Sequence, residues 1–310
     1  MKTILRNFLS TLRRFKMATA LNVLGLSVAF AAFMMIMMQV GFDYGFDRSQ
    51  PHADRIFRME PGNLMRQDWS AIINRPLMEA FIASSPHIEA GAYTKQPLAI
   101  YFSVEANGAK NNFQENALEV SSGYTDVFHF DMIEGSNRAL DEPNQVLIPL
   151  SLADKLFGSE PALGKRLDAD DVAYTVGGVY RDFPLNTSTS NVIYLLIPRE
   201  ENLYNWGNWN YAAYIRVNDP ANAAGLIENF QKTFDASGLE EWVQNNITEI
   251  NFRLTPLPEV HFITGVAYDR VPKASRQTLL ILFCIAIVIV VIAGINYMNF
   301  STALTPKRIR

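Results

Sequence analysis

Two stretches of this chain carry no charged side chain, and they restrict its fold more than any other feature: Met17–Val40 and Thr278–Tyr297. They are 24 and 20 residues long. As helices rising ~1.5 Å per residue they reach about 36 and 30 Å, and a bilayer core is roughly 30 Å thick. A charge at a span's centre costs about 2.5–3.5 kcal/mol on insertion, and neither stretch carries one. A cleaved signal peptide would have an apolar region of only about 7–15 residues. The small-x-small triplet Ala29-Phe30-Ala31 falls inside the run, not after it. The second run, LLILFCIAIVIVVIAGI, is apolar on every face, the pattern of a membrane span or a deeply buried helix. Two transmembrane helices are therefore expected.

Residues 1–16 hold Lys2, Arg6, Arg13, Arg14 and Lys16 with no acid, which predicts a cytoplasmic N-terminus by the positive-inside rule. Basic residues lie on both sides of the second run, with Lys307, Arg308 and Arg310 beyond it and Arg270, Lys273 and Arg276 before it, so orientation rests on the first. The exported loop then keeps 19 basic residues against all 31 acidic ones, a net of −12. Such a domain is a poor nucleic-acid binder, because phosphate contacts require clustered Lys and Arg. The single cysteine, Cys284, lies in the second run, so no disulfide can staple the loop. With 234 residues between Asp43 and Arg276 the loop is long enough to bury a core of its own.

Ile4, Leu5, Phe8, Leu9, Leu12 and Phe15 recur at helical spacing, with the basic residues mostly off that stripe. This predicts an amphipathic interfacial helix over 1–16, with a plain basic topogenic tail as the alternative. In the first span Gly25, Ala29 and Ala32 share one side, and Ala293 and Gly294 offer small residues in the second; such faces let helices approach closely. Strands are expected at Arg55–Met59, Ile88–Phe102 (with a break at Pro97), Tyr211–Val217 and Ile250–Pro256. Helices are expected at Pro76–Ser84 and Ala221–Ala236, the latter started by Asp219-Pro220. Two strand–helix–strand units around a long middle predict an α+β domain of ferredoxin-like split βαβ type with a strand-rich insertion. Within the middle, Gln145–Ile148 and Ala173–Tyr180 read as strands and Ser151–Phe157 as a helix.

Nothing in the sequence reads as catalytic. His52, His87, His129 and His261 are dispersed, with no metal-binding spacing. Asp168, Asp170 and Asp171 resemble the start of a calcium loop but lack its glycine and closing glutamate, so a solvated turn is the reading. Gly177-Gly178 is too short for a dinucleotide fingerprint, Gly164-Lys165-Arg166 lacks the remainder of a P-loop, and Ser151 and Ser301 lack a nucleophile-elbow setting. No cofactor is expected. Tyr204, Trp206, Trp209, Tyr211 and Tyr214 form an aromatic group that either lines a ligand cleft or packs in the core.

FDRSQPHADRIFRM, directly after the first span, resembles the entry into the periplasmic domain of MacB/FtsX-type ABC transporter permeases. NQVLIPLSLADKLFGSEPALGKRL, VAYTVGGVYRDFP, LTPLPEVHF and INYMNFSTALTPKRIR follow in the family's order across nearly the whole chain. Tyr44-Gly45-Phe46-Asp47 is a looser version of the family's opening pattern. The resemblance implies an interfacial helix at 1–16, spans at 17–40 and 278–300, and a periplasmic core domain at 41–277. Within that domain it implies a porter part at 43–102 and 205–276 and an inserted part at 103–204, with a cytoplasmic loop beginning at 301–310.

It implies a non-catalytic permease subunit in a bacterial inner membrane, transmitting the motion of a separate cytoplasmic ABC ATPase to the periplasmic domain. Further partners would be a second permease chain or half, the bilayer, and a periplasmic adaptor or lipoprotein. Arg6, Arg13, Arg14 and Lys16 are the candidate ATPase-coupling residues, and Gly25, Ala29, Ala32 and Gly294 the candidate helix-packing residues. Family members continue into more spans, so a longer native permease is expected. The alternative is a two-span sensor with an extracytoplasmic ligand-binding domain, which would require a cytoplasmic signalling segment after the second span. A tethered hydrolase is disfavoured because no nucleophile–base constellation emerges.

Overall fold

A computed structural model of the chain describes residues 16–63, 68–106, 109–169, 172–247 and 251–304. Most of the amphipathic segment, including Arg6, Arg13 and Arg14, lies outside the described residues, as do Asp170, Asp171, Ile250 and the basic end from 305. The chain divides into two units: residues up to Gly45 together with those from Ala274, and Phe46–Lys273.

The first unit holds α1 (Lys16–Tyr44) and a final helix, Arg276–Leu304, both long and apolar enough to cross a membrane. Their large apolar side chains stay uncovered: Leu21, Val28, Met35 and Met38 on the first, and Leu280, Val288 and Ile292 on the second, are all exposed. A soluble protein rarely leaves so large a contiguous apolar surface bare.

The second unit runs in order through β1 (Ile56–Asn63), β2 (Asp68–Ser70), β3 (Ile73–Asn74), α2 (Arg75–Ala83), β4 (Ile88–Thr94), β5 (Leu98–Ala106) and β6 (Ala109–Val120). It continues with α3 (Tyr124–Val127), β7 (Met132–Gly135), β8 (Gln145–Pro149), α4 (Leu150–Phe157), β9 (Arg166–Ala169), β10 (Val172–Tyr180) and β11 (Ile193–Leu196). The last elements are β12 (Trp209–Val217), α5 (Ala223–Thr233), α6 (Glu241–Ile247), β13 (Phe252–Pro256), α7 (Leu257–Val260) and β14 (Val266–Ala267); the final long helix is α8.

β4, β12, β1 and β13 lie side by side in that order, every pair antiparallel. Of the two helices that join their ends, α2 begins at a well-formed cap and α5 follows a capped 3-10 turn. The Asn74 side chain accepts from Leu77 N at 2.9 Å to start α2, and Asp219 accepts from Ala221 N at 2.9 Å in the turn leading to α5. Leu77, Met78 and Phe81 of α2 and Leu226 and Phe230 of α5 share one core with Phe57, Met59, Tyr211, Ala213 and Ile215 of the strands. Both helices therefore cover the same sheet face. Each such side chain, fully buried, stabilises the fold by about 1.5–3 kcal/mol relative to exposure.

The strand expected over Ile88–Phe102 is interrupted at residues 95–97, and its two halves go to different places. β4 stays with the four-stranded group, whereas β5 enters a second one. There β5, β6, β11, β8, β10 and β9 pair in sequence, and the β9–β5 pairing closes the circle into a six-stranded ring. Phe102, Val104, Val146, Ile148, Val176 and Ile193 are buried in its core, together with Leu152 and Leu156 of α4. A third cluster joins ring to sheet: Ile56, Ala92 and Tyr214 meet Tyr124, Phe128, Phe130, Tyr180 and Tyr194. The four-stranded group is thus covered on both faces.

Candidate functional site

The segment that enters the second unit and the segment that leaves it converge on one polar and aromatic node. On the entry side Phe46, 2% exposed, stacks flat on His261, with ring centroids 3.9 Å apart and planes within 5°. His261 Nδ1 donates to the carbonyl of Pro272 at 2.6 Å, so the ring touches both the entry residue and the exit segment.

Asp47 is enclosed completely and adopts a left-handed backbone conformation, φ 60°, which Asp tolerates better than most residues. That conformation aims its carboxylate at the loop after β10. Oδ1 accepts from Ser188 N at 2.5 Å and from Thr187 Oγ1 at 2.9 Å, and Oδ2 accepts from Ser188 Oγ at 2.6 Å. The Asp47 amide donates to the Asn186 carbonyl at 2.9 Å. Burial pushes the carboxyl of Asp47 above its ordinary value, although the bonds from Ser188 and Thr187 and the neighbouring His261 pull the other way. Gln50, three residues on, accepts from the His129 amide at 2.9 Å.

On the exit side a line of alternating charges runs inward. Lys273 meets Asp269 at 2.6 Å, Asp269 meets Arg58 at 2.7 Å, Arg58 meets Glu60, and Glu60 meets Arg253. Arg58 and Glu60 are 1% and 0% exposed. Arg253 closes the line over the ring of Trp69, 4.7 Å from its centroid. Burial opposes the charges of Asp269 and Arg58, yet pairing with Arg58 still holds the Asp269 carboxyl below its ordinary value, and Arg58 is held more firmly protonated. Lys273 goes down instead, because burial and the nearby Arg58 outweigh Asp269. Lys273 also donates to the Val260 carbonyl, next to His261. Such a network is costly to form and costlier to break one partner at a time, which makes it a rigid tie.

This node suits holding, not bond-making chemistry. Among the described residues no group of three or more His, Cys, Asp or Glu side chains gathers to hold a metal. Sequence reasoning flags the segment that holds Asp47 and Arg58 only as part of a resemblance, and it misses Glu60 and Asp269.

The helix-packing candidates lie together in the first unit. Gly25, Ala29 and Ala32 line one furrow between α1 and α8 with Ala293, and Ala29, Ala293 and Gly294 line another. Ala29 and Ala293 border both, which puts them on the contact line between the helices. A Cβ on Gly25 or Gly294 would touch nothing within 4 Å, so packing of α1 on α8 does not require either glycine. Lys16 is the first residue of α1. The aromatic group separates: Tyr211 and Tyr214 are buried, Trp206 and Trp209 pack against the core, and Tyr204 and Trp206 line an open depression.

The family model of the MacB-like periplasmic core domain matches residues 19–233. Among solved structures, a domain of a permease protein from Porphyromonas gingivalis aligns with 75% of this chain and 99% of its own, at 24% identity and a TM-score of 0.53. The extracellular domain of the noncanonic ABC-type transporter YknZ from Gram-positive bacteria aligns with 64% of this chain and 99% of its own (13% identity, TM-score 0.43). The periplasmic region of MacB from Actinobacillus actinomycetemcomitans aligns with 64% of this chain and 88% of its own (14% identity, TM-score 0.41). No curated protein matches the chain.

Proposed function

The chain belongs to the family of the MacB-like periplasmic core domain, and from that membership we propose that it is a non-catalytic permease subunit of an ABC transporter. Its role is to carry ATP-driven motion from a separate cytoplasmic ATPase through the two apolar helices into a periplasmic domain. The observation that carries this reading is the node: entry and exit segments are tied to each other and to the sheet before either continues into the fold. On this reading, a displacement of either helix would reach the second unit at the segments that carry the node.

In this reading α1 and α8 span a bacterial inner membrane with the N-terminus inside. The antiparallel order β4-β12-β1-β13, with α2 and α5 on one face, supports a ferredoxin-like split βαβ porter part, and the closed ring supports the inserted part. Arg6, Arg13, Arg14 and Lys16 face the ATPase, and the furrow residues Gly25, Ala29, Ala32 and Gly294 admit a helix of a second permease chain or half. Replacing Arg13 and Arg14 by Glu is expected to abolish transport or assembly with the ATPase, and full activity in that variant would remove the coupling role.

The decisive experiment reconstitutes the permease with its ATPase and places spin labels at the exposed positions Tyr101 and Leu185 of the outer unit. ATP binding is expected to change the distances between labels on paired copies. Identical distances with and without nucleotide would refute mechanical transmission.

A further inference from the structure

The open depression of about 500 Å³ beside the loop between β11 and β12 has the chemistry of a receptor for positive charge. Tyr204, 83% exposed, offers an uncovered ring at its rim. Trp206 lines it from within and is anchored against Phe234, with centroids 6.3 Å apart. Trp242 of α6 closes the far side, near enough that a Cβ on Gly207 would lie 3.8 Å from its ring. Among the described residues of the lining, the charged ones are Glu200 and Glu240, both acidic; Arg199, the chain neighbour of Glu200, is exposed but does not belong to the lining.

The loop is built, not merely exposed. Asn202 takes a left-handed conformation, φ 53°, and donates to the Tyr211 hydroxyl at 2.8 Å. That hydroxyl donates to Glu201 at 2.9 Å, and Glu201 pairs with Lys95 at 2.7 Å. Arg75 holds the Glu201 carbonyl at 2.6 Å. Glu201 is thus engaged inward, while its neighbours Glu200 and Tyr204 line the depression. The Trp242 indole N–H donates to Glu240 at 2.5 Å, fixing that carboxylate beside the ring.

Aromatic faces attract cations through their quadrupoles, and carboxylates add direct attraction while rejecting anions. We propose that this depression binds an organic cation, an ammonium or guanidinium group seated between Tyr204, Trp206 and Trp242 with Glu200 and Glu240 as its counter-charges. Two sources share that chemistry: a small quaternary amine, or a basic side chain presented by a partner protein. The site stands apart from the node and does not depend on the transport reading.

The test titrates the full chain in dodecyl maltoside with choline, with arginine amide and with 3,3-dimethylbutan-1-ol, the neutral isostere of choline, following tryptophan fluorescence and binding heat. Saturable binding of choline or of arginine amide is expected, weakened about tenfold or more for the neutral isostere. Tyr204→Ala and the pair Glu200→Gln with Glu240→Gln should each weaken cation binding by a similar factor, with thermal unfolding unchanged because these positions lie at the surface. Tighter choline assigns the site to small amines, and tighter arginine amide assigns it to a partner's basic side chain. Failure of both cations to saturate, equal binding of the isostere, or undiminished binding by the variants would overturn the proposal.

Discussion

Asp47 concentrates three hydrogen bonds on one enclosed carboxylate, and its loss should be felt well beyond its own position. Asp47→Ala leaves the Ser188 amide and two hydroxyls without their acceptor, an expected loss of about 2–3 kcal/mol, read by urea unfolding in detergent and by faster hydrogen exchange at Ser188. The pH dependence has a definite sign. The folded carboxyl keeps its proton to higher pH than the unfolded one, whose ordinary value is 3.8. Its contribution is therefore full below that value and fades as pH rises through the folded-state value. Subtracting Asp47→Asn from the wild type should show stability gained on acidification. Asp269 runs the other way: its lowered carboxyl contributes above 3.8 and loses that contribution as pH falls through the folded-state value. Arg58→Ala should cost about 3–5 kcal/mol by stripping a buried partner from Glu60 and Asp269, and a loss below ~1 kcal/mol, typical of a surface pair, would remove the tie from the account.

Elements that local pattern alone dictates are legible in the amino-acid order. α2 follows from a capping residue, a proline in the first turn and an apolar stripe; α5 follows from its apolar stripe after the 3-10 turn that Asp219 and Pro220 start, and β12 follows from its alternation. Arg58 and Glu60 are not legible in this way, because alternation with Phe57 and Met59 assigns them to solvent; a second layer covers that face instead. The ring is equally hidden. Its closure depends on the β9–β5 pairing, residues 168 and 103, and on β6–β11, partners too distant in sequence for periodicity to join. Of the aromatic group, only packing separates Tyr211 from Tyr204. Within the ring's outer border, Gly135 holds a left-handed conformation, φ 68°, and a Cβ there would come within 2.2 Å of the Gly177 carbonyl. Gly135→Ala should therefore detach β7 from β10 and destabilise the chain by at least ~1–2 kcal/mol. Amide exchange along Glu134–Gly135 and Gly178–Val179 is the readout, and unchanged protection there would show the backbone to be more yielding than its contacts imply.

At the scale of the whole molecule, the second unit carries the residues nearest both of its chain ends, Phe46 and Lys273, in one network of contacts. Asp269→Ala removes the carboxylate that links Lys273 to Arg58 in the charged line. If the proposed transmission role is right, the expected outcome is normal insertion and normal association with an ATPase but transport reduced severalfold, measured in reconstituted vesicles. Wild-type transport would count against transmission through this charged line. The circular pairing of β5, β6, β11, β8, β10 and β9 has a consequence for biogenesis as well. Its final stave is only Ile193–Leu196, slotted between β6 and β8. A chain made N-terminus first therefore presents two raw hydrogen-bonding borders until those four residues emerge. Edges of this kind pair readily with other chains, so the half-made chain is expected to be more adhesive than the sealed cask.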